Sequence, residues 1–383
     1  MGKKNENVSR RNAMKAAAIV PLTAVAGTAA NSAIKVGVIG TGGRGTRLAG
    51  HMSRDTDGEV VALCDVQDSS IERASSRLPQ RERKIYKDYR KLLESDVDAV
   101  IIATPVFRHA EHFEAAVKAG KHIYIEKPAA GTIAECKRIM KAADSADTKL
   151  NIQFGFQRRY GTVYQRAKKL IDSGEVGKIN NAHAHFVKHL GKQLYAPPMP
   201  RPTTELERIR YWQYWRDLFG GGLVETFVHS VDVLNWFLGG HPQSAQGTGG
   251  RSVMRVGDIL DHVDVSFKWE NGLSAGLKGS FIAPPRWREV KEVFYCEKGA
   301  VETAQEYWIH YRKFGLATND FAKTTSPRNI AVDSVQSFIN RIKENRPENV
   351  GVRGAESTLT AIMAQMAVDE KREVTWDEVI RSG

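Results

Sequence analysis

Glu225 and His229 stand four residues apart, and Asp232 and Trp236 follow seven and eleven residues after the glutamate. On a helix this spacing puts all four on one face. The same stretch carries Leu223, Val224, Phe227, Val228, Val231, Leu234 and Leu238, so a buried helix is predicted after Gly220-Gly221-Gly222. A polar stripe on a buried helix needs partners or a cleft. Histidine suits general acid–base work near neutral pH, and a flanking carboxylate would fix its tautomer and raise its basicity. The competing reading is a core histidine with its hydrogen bonds satisfied. A second candidate is Lys127 of Glu126-Lys127-Pro128, which follows the apolar run His122-Ile123-Tyr124-Ile125. A lysine beyond the carboxyl end of a buried strand can donate to a substrate oxygen or relay a proton. It can equally cap the next helix or face solvent.

A third constellation joins strand, turn and acid. Ile34 to Ile39 forms a short apolar run that enters Gly40-Thr41-Gly42-Gly43-Arg44-Gly45, and a helix-like segment follows through Leu48 and Met52. Val60 to Cys64 makes a second run ending on Asp65, twenty residues after Gly45. This is the layout of a dinucleotide site. Gly40 allows the tight turn, Gly42 lets the backbone approach a pyrophosphate, and Gly45 lets helix and strand pack closely. The helix N-terminus offers free N–H groups to the phosphates. Asp65 is placed to accept from a ribose 2′-hydroxyl and would repel a 2′-phosphate, which favours NAD over NADP, although Arg44 could reach a 2′-phosphate.

These residues need elements to hold them. From Ile34 to Phe154 short apolar strands (Ala99–Ala103, His122–Ile125) alternate with amphipathic helices (Ala110–Ala119, Ile133–Ala143). That rhythm predicts an α/β chain opening with a doubly wound parallel sheet over residues 31–155. After Tyr160 the rhythm changes. His262 to Trp269 alternates, Asn271-Gly272 is a hairpin turn into Leu273–Phe281, and Ile179–Lys188, Glu289–Cys296 and Tyr307–Tyr311 are further strand candidates. Residues 156–383 are therefore expected to form an α+β domain with an open, mostly antiparallel sheet, closed by helices at Ser334–Ile342 and Ala355–Val368. Pro197, Pro198, Pro200 and Pro202 make Gln193–Thr204 an exposed loop or arm.

The glycine turn, Thr104-Pro105 with His109, Gly120-Lys121-His122 before Glu126-Lys127-Pro128, and the diglycine–histidine helix ending at Asp232 together resemble the glucose–fructose oxidoreductase, inositol dehydrogenase and MocA (Gfo/Idh/MocA) family. The resemblance covers most of Ile34 to Trp376. It implies that Thr104, Pro105, His109 and Glu126 line the nicotinamide side of the cleft. Lys127 would be the catalytic lysine, before a cis proline, and His229 would exchange a proton with the reacting hydroxyl. Many members carry aspartate where this chain has Glu225, which leaves that residue open between proton relay and support from behind. Val106 also departs from the asparagine common after Thr-Pro. Implied is an NAD-dependent oxidoreductase acting on a sugar, a polyol or a derivative. A redox-neutral glycosidase using tightly bound NAD and a non-catalytic dinucleotide sensor are the alternatives. Dimers or tetramers built on the open sheet face are the implied assembly.

On the substrate side, Tyr211-Trp212-Gln213-Tyr214-Trp215-Arg216 is dense in aromatics, which either stack on the C–H faces of a sugar or pack a core. Tyr211, Trp212, Trp215, Arg159, Tyr160 and Asp232 are the substrate-binding candidates. His183, His185 and His189 lack acidic or cysteine partners at a recognisable spacing, so no metal site is expected; they face the substrate cleft or an oligomer interface. Three scattered cysteines exclude a disulfide framework.

Residues 1–30 are expected to be an export signal. Arg10-Arg11 with Lys15 precede an uncharged run from Ala16 to Ile34, with Ala24-Val25-Ala26 as a cleavage candidate. The arginine pair resembles a twin-arginine signal and predicts a periplasmic protein, although Ala13 stands where such signals carry a large apolar residue. The run is too rich in Ala, Thr and Gly for a membrane span. Of the net charge of +12, this segment holds five cations against Glu6, leaving about +8 on the remainder. No basic run is interleaved with aromatics, which argues against a nucleic-acid partner.

Overall fold

The computed structural model describes residues 33–312 and 321–383. The export-signal reading of residues 1–30, including Arg10-Arg11, lies outside them. Strands β1 (Ile34–Ile39), β2 (Gly58–Cys64), β3 (Lys84–Tyr86), β4 (Ala99–Ile102), β5 (His122–Ile125) and β6 (Ile152–Phe154) form a parallel sheet in the order β3-β2-β1-β4-β5-β6. All four residues of β4 and the last four of β1 are buried, as expected of strands covered on both faces. The order reverses between β1 and β4. Ligands of doubly wound sheets bind outside the carboxyl ends at such a switch point, and here the turn from Gly40 and the segment from Ala103 leave those two strands.

One face of this sheet is completed from far along the chain. Helix Ile330–Lys343 sets Val335, Phe338 and Ile339 against Val36, Val38 and Leu48. Tyr124 Oη lies 3.0 Å from Ser334 Oγ and its ring meets Phe338 edge-on. This helix, expected to close the second domain, packs on the first sheet's layer instead. The helix begins four residues before the predicted Ser334, because Asn329 caps it by accepting from Ala331 N at 2.8 Å.

The second sheet comprises β7 (Ile179–Lys188), β8 (Ser244–Gly250), β9 (His262–Lys268), β10 (Ser274–Ser280), β11 (Arg288–Cys296), β12 (Gly299–Ala304), β13 (Tyr307–Tyr311), β14 (Phe321–Thr325) and β15 (Val374–Thr375). Their order is β14-β13-β12-β11-β7-β10-β9-β8-β15, antiparallel except for the parallel pair β7–β10. Asn271-Gly272 turns β9 into β10 as predicted, with Gly272 at φ 81°. β8 has no sequence signature because it reads Ser-Ala-Gln-Gly-Thr-Gly-Gly. Its glycines have a packing reason: a Cβ at Gly247 would lie 2.7 Å from Asp264 O and 3.0 Å from Val368 of helix Gly351–Glu370. That helix also packs against Ile133–Asp144 of the first sheet's layer. Among the described residues no helix is long and apolar enough to cross a membrane.

Candidate active site

The glycine turn makes one wall of a cleft of about 760 Å³. Gly40 adopts φ 89°, and a Cβ there would lie 2.7 Å from Ala103 O. At Gly45 a Cβ would lie 1.9 Å from Gly40 O, so only glycine lets helix Gly43–Asp55 sit on the turn. At Gly42 and Gly43 a Cβ meets no protein atom within 4 Å. Their smallness serves what enters the cleft rather than the protein's own packing. The helix N-terminus has no side-chain cap and no acidic residue in its first turn, which fits a pyrophosphate. Asp65 lines the same cleft; its Oδ2 accepts from Thr41 N at 2.8 Å and Thr41 Oγ1 at 3.1 Å. Thr104, Pro105 and Trp212 form the far wall.

Arg44 lines both this cleft and a second cavity of about 500 Å³ that holds Lys127, Glu225 and His229. Its guanidinium donates to Glu126 Oε1 at 2.8 Å and to Gln157 Oε1 at 3.3 Å. Lys127 leaves the end of β5 and donates to Glu225 Oε1 at 2.7 Å and to the Glu225 carbonyl at 2.6 Å. Burial alone would raise the Glu225 carboxyl; Lys127, Thr226 and Lys188 overcome it and hold it below the usual carboxylate range. Glu225 therefore secures the lysine and leaves the histidine alone.

His229 sits at the start of helix Val228–Leu238, after a π-helical turn at Leu223–Phe227. Such wide turns recur at functional sites. Its buried Nδ1 has no hydrogen-bond partner among the described residues, and its ring stacks parallel to Phe186 and edge-on to Phe156. Burial pushes its pKa well below the ordinary value, and the charges of Lys127, Arg158, Arg44 and Lys188 push the same way. The expected flanking carboxylate that would raise its basicity is absent: Glu225 binds Lys127, and Asp232 is turned elsewhere. Burial and the surrounding cations both favour the uncharged imidazole.

The family model described as "Oxidoreductase family, NAD-binding Rossmann fold" matches residues 34–154, and that of the GFO/IDH/MocA C-terminal domain matches residues 164–302. Over 356 residues the chain is 31 % identical to an inositol 2-dehydrogenase of Klebsiella pneumoniae, covering 90 % of this chain and 97 % of that one. The chain belongs to the Gfo/Idh/MocA oxidoreductase family. An inositol 2-dehydrogenase of Salmonella typhimurium is 32 % identical over 207 residues, a match spanning 54 % of each chain, about half that relative's length. A levoglucosan dehydrogenase solved with NADH and levoglucosan has the same fold, with TM-score 0.77 over 89 % of this chain and 99 % of that one at 17 % identity. The family's N-terminal domain binds NAD, and the cleft at Gly42 is built for it.

Within this Gfo/Idh/MocA frame some expected contacts move. His109 does not line the cleft: it is buried, with Nδ1 2.8 Å from Pro128 O and Nε2 3.0 Å from Thr104 O, tying the two loops together. Glu126 is also buried and reaches the site only through Arg44. Arg44, held there, is not free for a 2′-phosphate. Arg159 and Asp232 form a buried pair at 2.9 Å, and Asp232 also accepts from Ser357 Oγ at 2.7 Å. With Tyr160 they border a separate crevice, so none of the three lines the cavity of His229. The stripe splits by partner, Glu225 going to Lys127 and Asp232 to Arg159, each from another element. Tyr211 and Trp215 line neither cavity, and Trp215 packs under Arg201 at 5.4 Å. Trp212 faces the cofactor cleft instead.

Sequence reasoning missed Lys87, Tyr89, Arg90 and His112 in the cleft and Lys188 and Arg288 in the cavity. The first three follow β3, whose three residues are too short to register as a strand. Once β3 is placed, the rule that ligands sit beyond strand ends points to them.

Proposed function

We propose that this chain oxidises or reduces a CH–OH carbon of a sugar, polyol or derivative with NAD. The convergence of Lys127, Glu225 and His229 in a cavity adjoining the glycine-turn cleft carries the reading. NAD, held by Gly40 to Gly45 and Asp65, would supply hydride-transfer chemistry. His229, neutral and unpartnered at Nδ1, accepts the hydroxyl proton in the oxidative direction and returns it in the reductive one. Lys127, aimed by two oxygens of Glu225, donates a charge-assisted hydrogen bond to the oxygen that becomes negative. Glu225 positions Lys127. The inositol and levoglucosan dehydrogenases among the relatives support a polyhydroxylated substrate.

We further propose that Arg10-Arg11 and the uncharged run after it export the protein to the periplasm with its cofactor already bound, since no free NAD pool awaits it there. The face of the second sheet carrying His183, His185 and Lys278 would join copies into dimers or tetramers. The test is a screen of polyols, sugars and aryl glycosides against protein purified without added cofactor. Net NADH formation supports the reading. Aglycone release without NADH would replace it with the redox-neutral glycosidase. Cofactor binding with no turnover would replace it with a sensor.

A further inference from the structure

The cavity of His229 is strongly unbalanced in charge. Arg44, Arg47, Lys127, Lys188, Arg288 and Arg328 line it, against Glu225 and Glu306. Three of these cations are neutralised locally: Arg44 by Glu126, Lys127 by Glu225 and Arg328 by Asp333. Arg47 forms no ion pair among the described residues, and neither do Lys188 and Arg288. The last two stand directly opposite one another where β7 pairs with β11. On β7 Lys188 continues the inner face of Ala182, Ala184 and Phe186, all buried, and is itself half-buried, while Arg288 opposite it is exposed and lines the same cavity.

Like charges directly opposite on adjacent strands destabilise a sheet. Glu225, which also binds Lys127, offsets Lys188 only in part. No carboxylate lies within 4.0 Å of either cation among the described residues, and Glu306 pairs with neither. The ammonium of Lys188 lies 5.4 Å from the Phe186 ring centre, and Arg288 Nη2 donates to Gln305 Oε1 at 2.6 Å. A neutral amide orients the guanidinium without cancelling its charge. Burial lowers the Lys188 pKa; Glu225 opposes the shift, while Lys127, Arg288 and Arg158 add to it. Ammonium and guanidinium groups only donate, and two side by side match a carboxylate or phosphate better than a hydroxyl.

We propose that the substrate carries an anionic group, a carboxylate or a phosphate on the sugar or polyol, held between Lys188 and Arg288 while its reacting carbinol faces His229. The orientation rests on the oxidoreductase reading above; the anion seat rests on the two strands alone. A substrate anchored at one end and reacting at the other spends its charge on orientation, which is what hydride transfer needs.

The NAD-loaded protein is titrated calorimetrically, and assayed for NADH formation, with three probes: myo-inositol, glucuronate and glucose 6-phosphate. At least one anion is expected to bind about 10- to 100-fold more tightly than myo-inositol, with an advantage that shrinks as salt rises. Which anion wins distinguishes carboxylate from phosphate. Lys188→Gln and Arg288→Gln should each cut the anion-to-neutral ratio by about tenfold or more, with NADH binding and the urea midpoint confirming that each variant is folded. If myo-inositol binds as well as both anions, or if neither substitution moves the ratio, the anion seat does not exist. In that case turnover of myo-inositol would leave the oxidoreductase reading intact. Anion binding without any turnover would do the reverse.

Discussion

Gly42 and Gly45 are both glycines of one turn, yet they should fail in opposite ways when replaced by alanine. At Gly45 the added Cβ would lie 1.9 Å from the Gly40 carbonyl oxygen and 3.4 Å from the Ala103 Cβ. The obstacle is backbone, so the helix must move off the turn. Overpacking of this kind costs about 1–3 kcal/mol, and a fixed carbonyl puts Gly45→Ala at the upper end. At Gly42 the backbone sits at φ −62° and ψ −170°, which alanine accepts, and the Cβ meets nothing within 4 Å. Restricting the unfolded chain stabilises by about 0.4–1 kcal/mol, while alanine is a poorer helix N-cap by a similar amount. Gly42→Ala should therefore keep the wild-type urea midpoint to within about 1 kcal/mol. Its Cβ would instead occupy the path by which a pyrophosphate meets the free N–H groups. NADH affinity should fall by tenfold or more, about 1.4 kcal/mol or greater. Paired urea melts and NADH fluorescence titrations separate the two. Wild-type NADH affinity in Gly42→Ala would refute the placement of the pyrophosphate. An undiminished melt for Gly45→Ala would refute the close packing of helix on turn.

His229→Ala should lower kcat by about 10²–10⁴-fold while NADH still binds, the loss expected of one general base. Because burial and four nearby cations depress the His229 pKa, kcat/KM for oxidation should show no histidine-type fall until well below pH 6.5; a break near that value would mean that another group is the base. His112, whose pKa burial lowers from 6.5 to about 4, binds its proton more tightly in the unfolded chain. Stability is thus fully present above pH 6.5 and lost as pH falls towards 4, by about 2 kcal/mol between pH 8 and pH 5. His112→Gln should flatten that slope in urea melts. Asp232→Asn leaves Arg159 buried without its charge partner and should cost about 3–5 kcal/mol. NADH affinity in the folded fraction should not change, because Asp232 lines neither cavity; a loss of affinity would restore it to the site.

The parts of the site legible in the sequence are those set by local chemistry. The glycine turn, Asp65 and Lys127 each follow an apolar run whose end fixes where the side chain emerges. His229 is visible as a histidine on an apolar helix, and Thr104-Pro105 as a loop beyond a strand. What stayed hidden was partner choice. The spacing of Glu225, His229 and Asp232 suggested that the carboxylates serve the histidine, whereas both serve cations from other elements, Lys127 and Arg159. Spacing within one helix reports which residues share a face, and says nothing of what tertiary packing brings against it.

Lys188 and Arg288 mark the same limit more sharply. Each is unremarkable in its own strand, since a cation at a strand end ordinarily reaches water. A hundred residues separate them in the chain, and only the β7–β11 register makes them neighbours. Register is set by the core-facing alternation of Ala182, Ala184 and Phe186 against Val290, Glu292 and Phe294, because a one-residue slip would turn either row to solvent. The placement of Lys188 and Arg288 together on the cavity of His229 is thus a consequence of packing the hydrophobic face correctly. A sheet obliged by its core to keep that pair together gains from a ligand that separates their charges. This ties what holds the second sheet in register to what the cavity can bind.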